Sequence, residues 1–82
     1  MDRTEIAKRV RHELEGLLKA PADFAETDQV ADHGLDSLTS VQLTLNLEDA
    51  FEIVFDDDEI SYQNFATIKG IVDLIEAKLA SA

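Results

Sequence analysis

Apolar residues recur at three- and four-residue steps in three stretches of the chain, the spacing of amphipathic helices. Ile6, Val10, Leu14, Leu17 and Leu18 place one apolar stripe on a first helix, with Arg3, Lys8, Arg9, Arg11, Glu13 and Glu15 on its other faces. Asp2 or Thr4 suits its N-cap and Glu5 its first turn. Ala20-Pro21 is expected to stop it, because a residue before proline is pushed out of the α region. A second helix is predicted over Ser37 to Phe51. At about 100° per residue its apolar side chains fall on two nearly opposite stripes. Leu43, Leu47, Ala50 and Phe51 form one. Leu38, Val41 and Leu45 form the other, continued toward the C-terminus by Glu48, Asp49 and Glu52. A small bundle cannot easily bury both. The first stripe is larger, aromatic and free of charge, so it is assigned to the core. The second is assigned to a docking surface, an apolar anchor flanked by charge. Its alternative is that the preceding loop covers Leu38 or Leu45.

The last helix begins at Thr67, a good N-cap, and carries Ile68, Ile71, Val72, Ile75 and Leu79 on its inner face. Gly70 inside it costs about 1 kcal/mol relative to alanine, which close approach of another element would explain. Residues 19–35 form a long connection, across which Phe24, Val30 and Leu35 are expected to tuck inward. Asp56-Asp57-Asp58-Glu59 is expected to cap a short third helix over about residues 57–62 with Ile60 pointing inward, and Asn64 to Thr67 to connect it to the last. The fold class is all-α: a small four-helix bundle of three longer helices and one short third helix, with a long first loop. Residues 1–82 read as one domain.

Composition narrows the function. The formal net charge is -11, and the seven basic residues are Arg3, Lys8, Arg9, Arg11, Lys19, Lys69 and Lys78. None lies between Ala20 and Ile68, so nucleic acid and anionic membrane are poor partners. Partners with basic patches are favoured, although acidity also serves simply to keep a small protein soluble. There is no cysteine, so any thiol chemistry must come from an added group. The Asp56 run fails as an EF-hand, having Ser61 and Thr67 where glycine and glutamate belong, and no metal site is expected. No apolar run reaches membrane-spanning length and no signal-peptide core opens the chain; a cytoplasmic monomer is the expectation.

The candidate chemistry lies in Asp32-His33-Gly34-Leu35-Asp36-Ser37-Leu38-Thr39-Ser40-Val41. Gly34 lets the chain reverse, Asp36 suits an N-cap, and Ser37 falls in the first turn of the second helix. A phosphate ester on such a hydroxyl gains from the helix dipole and nearby N–H groups. By itself a serine near a helix start is most often a cap. A Ser-His-Asp hydrolase built from Ser37, His33 and Asp32 or Asp36 would also need an oxyanion hole and a substrate cleft, for which this chain offers little room.

Gly34-Leu35-Asp36-Ser37-Leu38 resembles the Gly-x-Asp-Ser-Leu motif of acyl and peptidyl carrier proteins. The resemblance extends over nearly the whole chain: first helix, long loop, Asp-Ser-Leu at the second helix, Glu48-Asp49-Ala50-Phe51-Glu52 near its end, a short acidic third helix and a last helix starting Thr67-Ile68. It implies that Ser37 receives 4'-phosphopantetheine from coenzyme A through a phosphopantetheinyl transferase. The arm would then carry acyl or aminoacyl thioesters, and the protein itself would have no catalytic residues. Its partners would be a loading ligase or acyltransferase and downstream synthase, condensing or tailoring enzymes. These would read Asp36, Leu38, Val41, Leu45, Glu48, Asp49 and Glu52. Carriers of primary fatty-acid synthesis tend to be acidic where this chain has Thr39 and Gln42. Asn64-Phe65-Ala66-Thr67-Ile68 resembles stand-alone carriers served by adenylating ligases. A discrete carrier of polyketide, nonribosomal peptide or amino-acid-loaded pathways is therefore expected. The alternatives are a fatty-acid-synthesis carrier and, from another class, an acidic helical interaction module without a prosthetic group.

Overall fold

The structure is a computed structural model and describes residues 2–80. Four helices follow in order: α1 (Arg3–Leu18), α2 (Ser37–Phe51), α3 (Tyr62–Phe65) and α4 (Ile68–Ala80), with a 3₁₀ turn at Val30–His33 in the long first connection. Asp2 caps α1, its carboxylate accepting from the Glu5 N–H at 2.9 Å. The helix ends earlier than the proline predicted. Lys19 turns left-handed at φ 56° and donates its N–H to the Glu15 carbonyl, so the terminus closes before Pro21 acts on it. Thr67 caps α4 as expected, its hydroxyl accepting from the Gly70 N–H at 3.0 Å.

The core is one cluster between α1, α2 and α4. Ile6, Val10 and Leu14 meet Leu43, Leu47 and Phe51 on one side and Ile68, Ile71, Val72 and Ile75 on the other. Leu38, Val41 and Leu45 remain exposed at 81%, 58% and 54%. The two stripes of α2 are therefore divided as the pattern predicts. At Gly70 an added Cβ would lie 3.0 Å from the Asn64 carbonyl oxygen and 3.4 Å from the Thr67 hydroxyl, so the end of α3 packs close against it and would have to give by a few tenths of an ångström to admit a side chain.

The third helix departs from expectation. It covers Tyr62–Phe65 rather than residues 57–62, and Ser61 is its cap, with the Asn64 N–H donating to its hydroxyl. The acidic run forms a turn instead: the Glu59 carboxylate accepts from the Asp56 N–H at 2.7 Å. Ile60 faces solvent rather than the core. Phe65, expected in a connector, is buried edge-on to Phe55, with ring centroids 5.4 Å apart at 86°.

The long loop is fastened at both ends. Arg11 donates to the carbonyls of Ala22 and Phe24, each at 2.7 Å, and the Glu15 carboxylate accepts from the Ala22 N–H. Farther on, the Val30 N–H donates to the Ala66 carbonyl and the Lys69 N–H to the Glu26 carbonyl. Val30 and Leu35 are buried, as predicted, and Phe24 is half-buried. Phe51→Ala removes a buried aromatic ring and is expected to destabilise the fold by about 3–5 kcal/mol in urea unfolding. Leu45→Ala, two turns earlier on the exposed stripe, is expected to change it by less than about 1 kcal/mol. Equal effects would refute the assignment of the two stripes.

Candidate functional site

Gly34 reverses the chain at φ 107°, a conformation L side chains rarely adopt, and Asp36 then starts α2. Asp36 and Thr39 cap each other. The Thr39 N–H donates to the Asp36 carboxylate at 2.9 Å, and the Asp36 N–H donates to the Thr39 hydroxyl at 2.8 Å. The Thr39 hydroxyl also donates to the same carboxylate at 2.8 Å. Threonine here takes the place that glutamate or glutamine holds in the usual capping box. These bonds, led by the Thr39 N–H, hold the Asp36 carboxyl below its ordinary range.

Ser37 is the first residue of the helix so capped. It is exposed, and its hydroxyl makes no hydrogen bond among the described residues. The cap is Asp36, which leaves Ser37 chemically free. His33 is drawn elsewhere: its ring stacks on Phe24 at 3.8 Å, and its Nε2 lies 3.5 Å from the Asp28 carboxylate. The hydrolase grouping is therefore not assembled among the described residues.

Beside Ser37 opens a cleft of about 340 Å³ between α2, the 3₁₀ turn and α3. Val30, Leu35, Val41, Ile60, Tyr62 and Phe65 supply its apolar lining, and Ser40, Thr44 and Ser61 contribute hydroxyls. Its outer wall, Ile60 to Tyr62, follows the Asp56–Glu59 turn, which Lys78 ties to α4 through a 2.6 Å bond to Glu59. Ile60 and Tyr62 were missed as site residues. The Ser61-x-x-Asn64 cap was the signal that could have placed them at the start of α3 and hence outside.

The docking residues fare differently. Leu38, Val41, Leu45, Asp49 and Glu52 are exposed on α2 and at its C-cap. Asp36 is exposed but its carboxylate is committed to the cap. Glu48 is half-buried and accepts from the Phe55 N–H at 2.7 Å, so its carboxylate holds the chain leaving α2.

Residues 8–75 match the family described as the phosphopantetheine attachment site. The chain belongs to this family of phosphopantetheine-binding carrier proteins. Its members carry groups and are not themselves catalytic, and its cofactor is covalently attached 4'-phosphopantetheine. The chain is 40% identical over 62 residues to the aminoacyl carrier protein of Agrobacterium fabrum, covering 74% of this chain and 75% of that one. It is 32% identical over 83 residues to acyl carrier protein 3 of Ralstonia nicotianae, covering 99% and 93%. An acyl carrier protein of Coprothermobacter proteolyticus is 33% identical over 81 residues, at 96% of each.

Among solved structures it is similar, at TM-score 0.70 and 28% identity, to a chain in the Bradyrhizobium japonicum complex of glycine:[carrier protein] ligase with its cognate carrier protein and a glycyl adenylate analogue. That match covers 98% of this chain and 97% of the other. The corresponding complex with glycylated carrier protein gives TM-score 0.68 and 29% identity, covering 89% and 96%.

The start of α2 fits such a group: a free, exposed hydroxyl in a capped first turn, a dipole favouring a phosphodiester, and an open cleft alongside. The Glu59–Lys78 bond holds the Glu59 carboxyl below its ordinary range, while the Lys78 ammonium is raised by the same bond. A depressed carboxylate contributes stability that is full above its unfolded pKa and is lost as pH falls through the folded value. The stability advantage of the parent over Glu59→Gln is therefore expected to be constant near neutrality and to shrink on acidification below the ordinary carboxylate range. The comparison is thermal unfolding across that range, and a pH-independent difference would show that the bond contributes no such linkage.

Proposed function

We propose that Ser37 carries the 4'-phosphopantetheine arm and that residues 1–82 act as a single carrier domain, loaded with an amino acid or a small acyl group by a dedicated adenylating ligase. The observation that carries this reading is the free Ser37 hydroxyl at the first turn of α2, beside an open cleft, in a chain of this family. When bound, the group supplies a thiol on a long flexible arm, which a chain without cysteine lacks. Asp36 and Thr39 hold the first turn rigid, and the helix dipole favours the anionic phosphodiester. The protein does no catalysis of its own. It is a cytoplasmic monomer that presents one residue to a phosphopantetheinyl transferase, then to a loading enzyme, then to synthase, condensing or tailoring enzymes.

Amino-acid loading is supported by the aminoacyl carrier relative in Agrobacterium fabrum and by the likeness to structures in which a carrier protein is bound to a glycine ligase. Asn64 to Ile68, the stretch that resembles ligase-served carriers, forms the junction of α3 and α4. The pathway is a specialised one, of polyketide, nonribosomal peptide or amino-acid-loaded type. The apolar lining of the cleft and the acyl carrier relatives support a second reading of the cargo as a plain acyl chain, including that of fatty-acid synthesis. The partner surface is Leu38, Val41 and Leu45, with Asp49 and Glu52 as its acidic end and Glu48 and Asp36 holding its frame.

Incubation with coenzyme A and a broad-specificity phosphopantetheinyl transferase is expected to add one phosphopantetheine to the intact mass of the parent and none to Ser37→Ala. Both proteins should unfold at closely similar temperatures, because the Ser37 hydroxyl makes no hydrogen bond among the described residues. An unmodified, folded parent would leave an acidic interaction module as the better reading.

A further inference from the structure

The end of α2 that carries Ser37 has no anchor in the core. The first buried residue of the helix is Leu43, so none of the residues from Ser37 to Gln42, more than a full turn, is buried. A helix end of this kind frays unless the chain that enters it is held. The entering chain is the turn of residues 31–35. Among the described residues its backbone hydrogen bonds stay within the segment: the Asp32 N–H donates to the Gln29 carbonyl, the Gly34 N–H to that of Ala31 and the Leu35 N–H to that of Val30.

Side chains therefore fix this turn to the rest of the protein. On one side of the reversal at Gly34, Leu35 is buried in the core. On the other side His33 is the handle. Its ring lies on that of Phe24, with centroids 3.8 Å apart and planes 4° apart, and its Nε2 is 3.5 Å from the Asp28 carboxylate. Phe24 packs half-buried against the core, and its carbonyl accepts from Arg11 of α1 at 2.7 Å. A connected path through Arg11, Phe24 and His33 thus runs from α1 to the turn that delivers Ser37.

We infer that His33 is a positioning residue for group transfer at Ser37: stacked on Phe24, it clamps the turn before α2 and so fixes where the serine hydroxyl is presented. This rests on the reading of Ser37 as the attachment point. His33 acts through the backbone of Gly34, Leu35 and Asp36 and takes no part in the chemistry. Misplacing a reacting group by about 1 Å costs up to about 100-fold in rate, so a loosened turn is read in the transfer step itself.

The test is the initial rate of phosphopantetheine transfer from coenzyme A by the same broad-specificity transferase, followed by intact mass over a range of carrier concentrations. His33→Ala is expected to lower kcat at least about fivefold and to leave KM within about twofold, because the exposed face of α2 is unaltered. His33→Phe keeps a ring on Phe24 and is expected to restore kcat to within about twofold of the parent; His33→Gln, polar but without a ring, is not. Phe24→Leu is expected to match His33→Ala, and the double variant to be no slower than either, since all three lose the same clamp. Amide hydrogen exchange is expected to quicken over residues 31–40 in the single variants while α4 stays protected, which separates a loosened turn from a loosened fold. Should His33→Ala unfold at the assay temperature, His33→Gln against His33→Phe makes the same comparison. An unchanged kcat, no rescue by phenylalanine, or losses that add in the double variant would overturn the clamp. A raised KM with kcat unchanged would make His33 a contact of the transferase and overturn it equally. If the parent gains no phosphopantetheine, attachment and clamp fall together; a modified parent with unaffected variants removes the clamp alone.

Discussion

Helix α2 has apolar residues on two opposite faces, and one core of this size covers only one of them. That constraint arranges the rest. Leu43, Leu47 and Phe51 go inside against α1 and α4, which forces Leu38, Val41 and Leu45 outward. Exposing three large side chains is unfavourable for an isolated bundle, and the exposed row starts one residue after the serine that is free to be modified. The helix is thus a structural element on one face and an exposed apolar row on the other.

The start of that helix is held by local bonds. Its first turn is fixed by the reciprocal bonds of Asp36 and Thr39, so the serine between them is not needed as a cap. The loop leading there is long, but Arg11, Glu15 and the backbone contacts to Ala66 and Glu26 anchor it at both ends. Val30 and Leu35 are drawn into the core by that anchoring and form the inner wall of the cleft. The same acidic composition has two uses. Glu48 and Glu59 satisfy backbone N–H groups at turns, while Asp49 and Glu52 stay in solvent.

Much of this was legible from residue spacing. The limits of α2, the cap at Asp36, the cap at Thr67 and the division of the two stripes all follow from local rules: side-chain period, short-range bonds from side chain to backbone, and the sizes of the apolar groups. The resemblance of Gly34 to Leu38 to the carrier motif added the identity of the family's cofactor, which geometry alone does not specify.

What only the tertiary structure decided lies where distant residues compete for one position. The acidic run looked like a helix start, but Glu59 turns back to Asp56 and across to Lys78, and the helix starts at Ser61. That shift sends Ile60 outward and buries Phe65 against Phe55, and so creates the outer wall of the cleft. The early stop at Lys19, the structural duty of Glu48 and the close approach at Gly70 are made by residues three to seven positions away, through turn geometry that side-chain period does not report. By itself the sequence determined which stretches are helical and which faces are apolar, because those depend on neighbours within a turn or two. The cleft, its rim and the Glu59–Lys78 bond depend on partners far along the chain, which only folding brings together.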